Sequence, residues 1–223
     1  MQQPEIRLIS RPAGSLKALV FIDGYLSGDK ERHKLLSELS YLGWQDSVYH
    51  LCWDASCFES CVLELGIFHW EKCKSRAKKV GREYLPSLIY NKIPEKNVCI
   101  IAYSLGARVA YYSLEAWSET QHSLQDVILL AGAVRRDSSK DWGHVASQVK
   151  GNLINVHNYD DSTLKNIFEA VEAGQSACGR KPIKERHPKI INEDATSFIG
   201  KNHSVSKYLD YLPELVRKDL WQI

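Results

Sequence analysis

Ala102-Tyr103-Ser104-Leu105-Gly106 is the segment whose residue types and spacing could do chemistry. A serine two residues after one small residue and two before another fits a sharp strand-to-helix turn that exposes its hydroxyl. Larger side chains at those two positions would collide across the turn. Glycine is usual at the first of them, so Ala102 is a mild departure that still fits. The competing use of Ser104 is as a plain helix N-cap. Context favours the nucleophile: Val98 to Tyr103 is an unbroken apolar run leading in, and Leu105, Val109, Tyr112 and Ala116 mark one face of a helix leading out.

A serine hydroxyl is hardly ionised at neutral pH, so it needs a base, and the base needs an orienting acid. For a nucleophile on such a turn, the acid comes next in the chain and the base after it. Asn155-Val156-His157-Asn158-Tyr159-Asp160-Asp161 puts two carboxylates just past a strand end. Spacing does not choose between Asp160 and Asp161, and either could instead cap a helix at Ser162-Thr163-Leu164. The histidines after Ser104 are His122, His144, His157, His187 and His203. His122 precedes the next strand, and His157 stands where the acid belongs. His203, in Asn202-His203-Ser204 before the last helix, is the candidate base, with His187 its rival. Developing negative charge on a substrate oxygen needs two backbone N–H groups. Leu105 supplies one, and Tyr25 in the glycine-punctuated loop Asp23-Gly24-Tyr25-Leu26 is the candidate for the other. The alternative for that loop is an ordinary glycine turn.

These residues need a scaffold that carries strand ends and helix starts to one place. Strand-like and helix-like segments alternate, which predicts an α/β fold with a mostly parallel sheet. Leu16–Ile22, Ser47–Trp53, Asn97–Tyr103, Val127–Ala131 and Asn152–Val156 read as strands. Residues 56 to 91 read as mostly helical, and residues 174 to 202 as a long irregular loop or lid. The tail from Val205 has helical spacing with a break or kink at Pro213.

The chain's 223 residues, 44% hydrophobic and 25% charged, suit one globular domain spanning residues 1–223. A net charge of +2 gives no global field for nucleic acid. No apolar run approaches the roughly 20 residues of a membrane-spanning helix, and the start lacks the layout of a secretory signal. The expected location is therefore the cytoplasm, with export by a signal-independent route left open. Basic stretches at 72–82 and 180–189 allow peripheral contact with anionic lipid, though solvated surface is the plainer reading. The six cysteines, Cys52, Cys57, Cys61, Cys73, Cys99 and Cys178, match no zinc spacing and read as free thiols.

Together these residues resemble an α/β-hydrolase-fold protein. More narrowly, the chain is similar to the hydrolase-like domain of the transmembrane and coiled-coil domain-containing protein 4 family. The matching parts are Phe21-Ile22-Asp23-Gly24-Tyr25-Leu26-Ser27, Trp53-Asp54, Tyr103-Ser104-Leu105-Gly106-Ala107-Arg108-Val109, Val127 to Ala133, Asn155-Val156 with Asp161, and Asn202-His203-Ser204. The resemblance implies Ser104 as nucleophile, His203 as base and Asp161 as acid. The family's membrane segments have no counterpart here, so membrane residence is not carried over. The expected function is a serine hydrolase that cleaves a carboxylic ester, of acyl or lipid type, through an acyl-enzyme. No metal or organic cofactor is implied. The alternatives are a thioesterase, acyltransferase or peptidase using the same triad, or a catalytically dead hydrolase fold kept as a binding module.

Overall fold

The computed structural model describes residues 3–24, 29–54, 66–118 and 121–223. Among the described residues seven strands form one sheet: β1 (Glu5–Ser10), β2 (Lys17–Ile22), β3 (Ser47–Cys52), β4 (Asn97–Tyr103), β5 (Ser123–Leu130), β6 (Leu153–His157) and β7 (Ile190–Asp194). Their order across the sheet is β1-β3-β2-β4-β5-β6-β7. Only β1 runs antiparallel to its neighbour. The near-continuous apolar runs of β2 and β4 follow from burial on both faces, which a parallel sheet sandwiched by helices imposes.

The helices are α1 (Asp29–Tyr41), α2 (Gly66–Lys79), α3 (Leu85–Lys92), α4 (Leu105–Glu115), α5 (Trp142–Ser147), α6 (Glu169–Val171), α7 (Thr196–Ile199), α8 (Val205–Leu209) and α9 (Leu212–Arg217), with π-helical turns at Val80–Tyr84 and Leu164–Phe168. Gly81, in the first of these turns, lets α2 and α3 ride close on α4. A Cβ there would lie 2.4 Å from the Val109 carbonyl oxygen. α4 is buried from Leu105 to Leu114, as the helix leaving the Ser104 turn must be to hold that turn rigidly.

The structure corrects three expectations. Residues 174 to 202 are irregular only as far as Lys189; β7 and α7 follow, and Ala177 and Cys178 are buried in the core. β7 hides in the sequence because it is a half-exposed edge strand, Ile-Ile-Asn-Glu-Asp, with no apolar run. β1 is likewise a half-exposed edge strand of mixed residues. The break in the tail falls at Asp210–Tyr211, between α8 and α9. Pro213 then sits in the first turn of α9, where its missing N–H costs nothing. Cys73 is disulfide-bonded rather than a free thiol, since spacing along the chain does not report proximity in space; Cys52, Cys99 and Cys178 are free. Helix over 56–91 holds from Gly66 onward, and residues 56–65 lie outside the described residues. No described helix is long and apolar enough to cross a membrane.

Candidate active site

β4 delivers Ser104 to the carboxyl edge of the sheet in a backbone conformation that serine rarely adopts, φ +52° and ψ −116°. Such strain persists only where surrounding bonds hold it. Here the Ser104 N–H donates to the Leu130 carbonyl at 2.9 Å, and the Ser104 carbonyl accepts from Ala133 at 2.9 Å and Ala107 at 3.2 Å. The hydroxyl makes no capping bond to α4, so the plain N-cap reading fails. The need for a small residue at 106 is steric: a Cβ there would come within 2.4 Å of the Ile22 carbonyl oxygen.

Ser104 Oγ lies 2.9 Å from His203 Nε2, and His203 Nδ1 lies 2.6 Å from Asp161 Oδ2. The three side chains, far apart in sequence, therefore form one continuous chain of hydrogen bonds. Asp161 is fully buried. Its Oδ1 accepts the Leu164 N–H at 2.9 Å, and its Oδ2 also accepts the Tyr208 hydroxyl at 3.2 Å. Asp161 thus caps the helical turn that begins at Ser162 and holds the imidazole with the same carboxylate. Asp160 is exposed and holds only a turn, through its N–H to Asn158 Oδ1.

His203 is fixed from behind by the Tyr103 hydroxyl, which donates to its backbone carbonyl. Asn158 Nδ2 tethers the approach, donating to the Gly200 carbonyl at 2.7 Å. His187 precedes β7 at the amino edge of the sheet, opposite Ser104, where its Nδ1 accepts the Lys189 N–H. His122 is buried against the Ile93 carbonyl. His157 is buried at the end of β6, edge-on to Tyr159, and its burial holds its pKa below the ordinary histidine value.

Leu105 opens α4, so its N–H has no acceptor within the helix. It faces the chain at Gly24, where a Cβ would lie 3.0 Å from the Leu105 nitrogen. Tyr25, the other expected donor, lies outside the described residues. The first residue of this loop belongs to a pair that sequence reading missed. Asp23 Oδ2 lies 2.6 Å from His50 Nε2, and both side chains are buried. Trp53 Nε1 donates to the Asp23 carbonyl at 3.0 Å. Burial works to lower the His50 pKa; the bond to Asp23 and the contact with Cys52 more than reverse this and lift it to about 9. The charged pair anchors the chain where it leaves β2.

Beside Ser104 and His203 is a small apolar chamber walled by Trp70, Leu105, Ala133, Leu164, Ile167 and Phe168. Trp70 is pinned: its indole N–H donates to Glu172 Oε1 at 2.9 Å, and the buried Arg108 guanidinium sits 5.5 Å from its ring. Arg108 also reaches Glu172, at 3.3 Å. Burial works to raise the Glu172 pKa, but the bond from Trp70 and the charges of Arg108 and Lys74 outweigh it and hold the carboxyl low.

The basic stretch at 72–82 is largely neutralised where it stands. Lys74, Arg76, Lys79 and Arg82 each pair with a carboxylate.

Residues 62–218 match the family model described as "Protein of unknown function (DUF726)". Among curated relatives, an uncharacterized membrane protein of Caenorhabditis elegans is 34% identical over 137 residues, 60% of this chain and 22% of that protein. A transmembrane and coiled-coil domain-containing protein of Oryza sativa subsp. japonica is 28% identical over 137 residues, 60% of this chain and 20% of that protein. The match thus spans about a fifth of these relatives' length.

Among solved structures, the LpqC poly(3-hydroxybutyrate) depolymerase of Bordetella parapertussis aligns with a TM-score of 0.63 at 9% identity, covering 96% of this chain and 83% of that one. A predicted CIB-like hydrolase of Thermoplasma acidophilum aligns with a TM-score of 0.51 at 15% identity, covering 97% and 90%. At such identities the likeness carries the fold, which is that of an α/β hydrolase.

Proposed function

The chain belongs to the DUF726 family, and on that premise we propose that it is a serine hydrolase that cleaves a carboxylic ester through an acyl-enzyme. The observation that carries the reading is the unbroken path Ser104 Oγ–His203 Nε2 at 2.9 Å and His203 Nδ1–Asp161 Oδ2 at 2.6 Å, hung on a strained serine. Ser104 attacks the ester carbonyl. His203 takes its proton and returns it to the leaving alcohol. Asp161 fixes the imidazole tautomer and stabilises the imidazolium. The amides of Leu105 and Tyr25 hold the oxyanion. Water then repeats the sequence and frees the acid.

The resemblance to the transmembrane and coiled-coil domain-containing protein 4 family belongs to the same reading. So does a cytoplasmic site of action. Docking on anionic lipid is disfavoured at 72–82, because most of those cations are already paired. Turnover of p-nitrophenyl acetate tests the function. Hydrolysis lost in both Ser104→Ala and His203→Ala supports it. Hydrolysis that survives Ser104→Ala, or its absence in folded wild-type protein, refutes it.

A further inference from the structure

The chamber beside Ser104 has walls that decide what acyl group fits. A water molecule's centre finds only ≈ 10 Å³ of free space in it. That is room for about one water, and so for a group of methyl or ethyl size. When an ester carbonyl carbon sits on Ser104 Oγ, its oxygen turns to the Leu105 N–H and its leaving oxygen to His203. The remaining substituent, the acyl chain, is directed into this apolar recess. We propose that the chamber is an acyl-size filter that admits acetyl- or propionyl-sized groups and turns away long acyl chains, a conclusion that rests on the serine-hydrolase reading above.

Size alone would not make a filter if the walls could move aside. Trp70 is 1% exposed and cannot swing without leaving Glu172 and Arg108 short of a partner. Breaking a buried charge network by removing one member is costly. Phe168 meets the Trp70 ring edge-on, with centroids 5.7 Å apart, and braces it from the other side. Leu164, Ile167 and Phe168 come from the π-helical turn, and its first residue donates its N–H to Asp161 Oδ1. A wall that yielded would therefore disturb the acid that orients His203. Filling such a recess with extra methylenes forces strained side chains or a shifted backbone.

The test is kcat/KM for p-nitrophenyl acetate, butyrate and octanoate, with wild-type protein, Trp70→Ala and Ile167→Ala. Half-buried Ile167 is the variant that keeps the fold if loss of the Trp70 anchor does not. Wild-type protein is expected to lose at least roughly tenfold between acetate and octanoate, and either folded variant to recover most of that ratio. Octanoate hydrolysed as well as acetate by wild-type protein overturns the filter, and so does an octanoate-to-acetate ratio unchanged in folded Ile167→Ala. Phosphorylation of Ser104 by diethyl p-nitrophenyl phosphate separates the two failures. Labelling with a flat chain-length profile sinks the filter and leaves the serine chemistry standing. Neither labelling nor turnover removes the serine-hydrolase reading and the filter with it.

Discussion

Gly24 packs directly on Ser104: a Cβ at position 24 would lie 2.8 Å from the Ser104 Cβ and 2.9 Å from the Tyr103 carbonyl oxygen. The obstruction is backbone and Cβ, which no rotamer change relieves. Gly24→Ala is therefore expected to push the loop off the Ser104 turn. We expect stability to fall by about 1–3 kcal/mol, as for overpacked sites. Ester hydrolysis should fall further, by roughly 10²-fold, as when one oxyanion donor is misplaced. Urea denaturation and p-nitrophenyl acetate kinetics read the two effects. A fully active Gly24→Ala protein would mean that the loop has no part in the chemistry.

Asp161→Asn keeps the shape of the site but lets the amide donate where the carboxylate accepted. His203 would then be held in the wrong tautomer, and kcat should drop by roughly 10³–10⁴-fold. Asp160→Asn, altering an exposed turn residue, should leave kcat within about twofold, in line with neutral surface changes. Equal losses in the two variants would contradict the assignment of the acid.

The Asp23–His50 pair makes stability depend on pH in a definite direction. His50 is raised to about 9 in the folded protein, against about 6.5 in an unfolded chain. The folded state then holds the extra proton between those values. The stabilisation is fully present below about pH 6.5 and is lost as pH rises through 9. The melting-temperature gap between wild type and His50→Asn should therefore narrow from about pH 6 to about pH 10. A gap that is constant or widens over that range contradicts a charged His50.

Arg108 and Glu172 are both buried, with Trp70 hydrogen-bonded to the carboxylate between them. Arg108→Met alone leaves a buried carboxylate short of one cation and should cost about 3–5 kcal/mol. Adding Glu172→Leu removes the under-compensated charge, so the double variant should be more stable than Arg108→Met. A urea-denaturation cycle in which the two losses simply add would show that the pair is not coupled.

The core of this account was legible because its signals are local. β4 reads as a strand because both its faces are buried, and the turn after it obeys a steric rule confined to Ala102 and Gly106. Ser104, His203 and the pair Asp160 and Asp161 could be nominated by chain order, and the structure brings Ser104, His203 and Asp161 together. Choosing Asp161 over Asp160 needed family resemblance, since both follow the same strand. The edge strands β1 and β7 were illegible because half-exposed strands carry mixed residues. Asp23–His50 and Arg108–Glu172 were invisible for a different reason. Nothing in one residue's neighbours announces a partner 27 or 64 positions away.

The central claim is that the Ser104 hydroxyl is an activated nucleophile, and covalent capture reads it most directly. Diethyl p-nitrophenyl phosphate places a phosphorus centre where the ester carbonyl would sit; attack by Ser104 Oγ forms the phosphoserine ester and expels p-nitrophenolate. Intact-protein mass spectrometry with peptide mapping should show one diethylphosphoryl group on the peptide carrying Ser104, absent in Ser104→Ala and strongly slowed in His203→Ala. Folded wild-type protein that stays unmodified, or a label that maps elsewhere and persists in Ser104→Ala, would contradict the account.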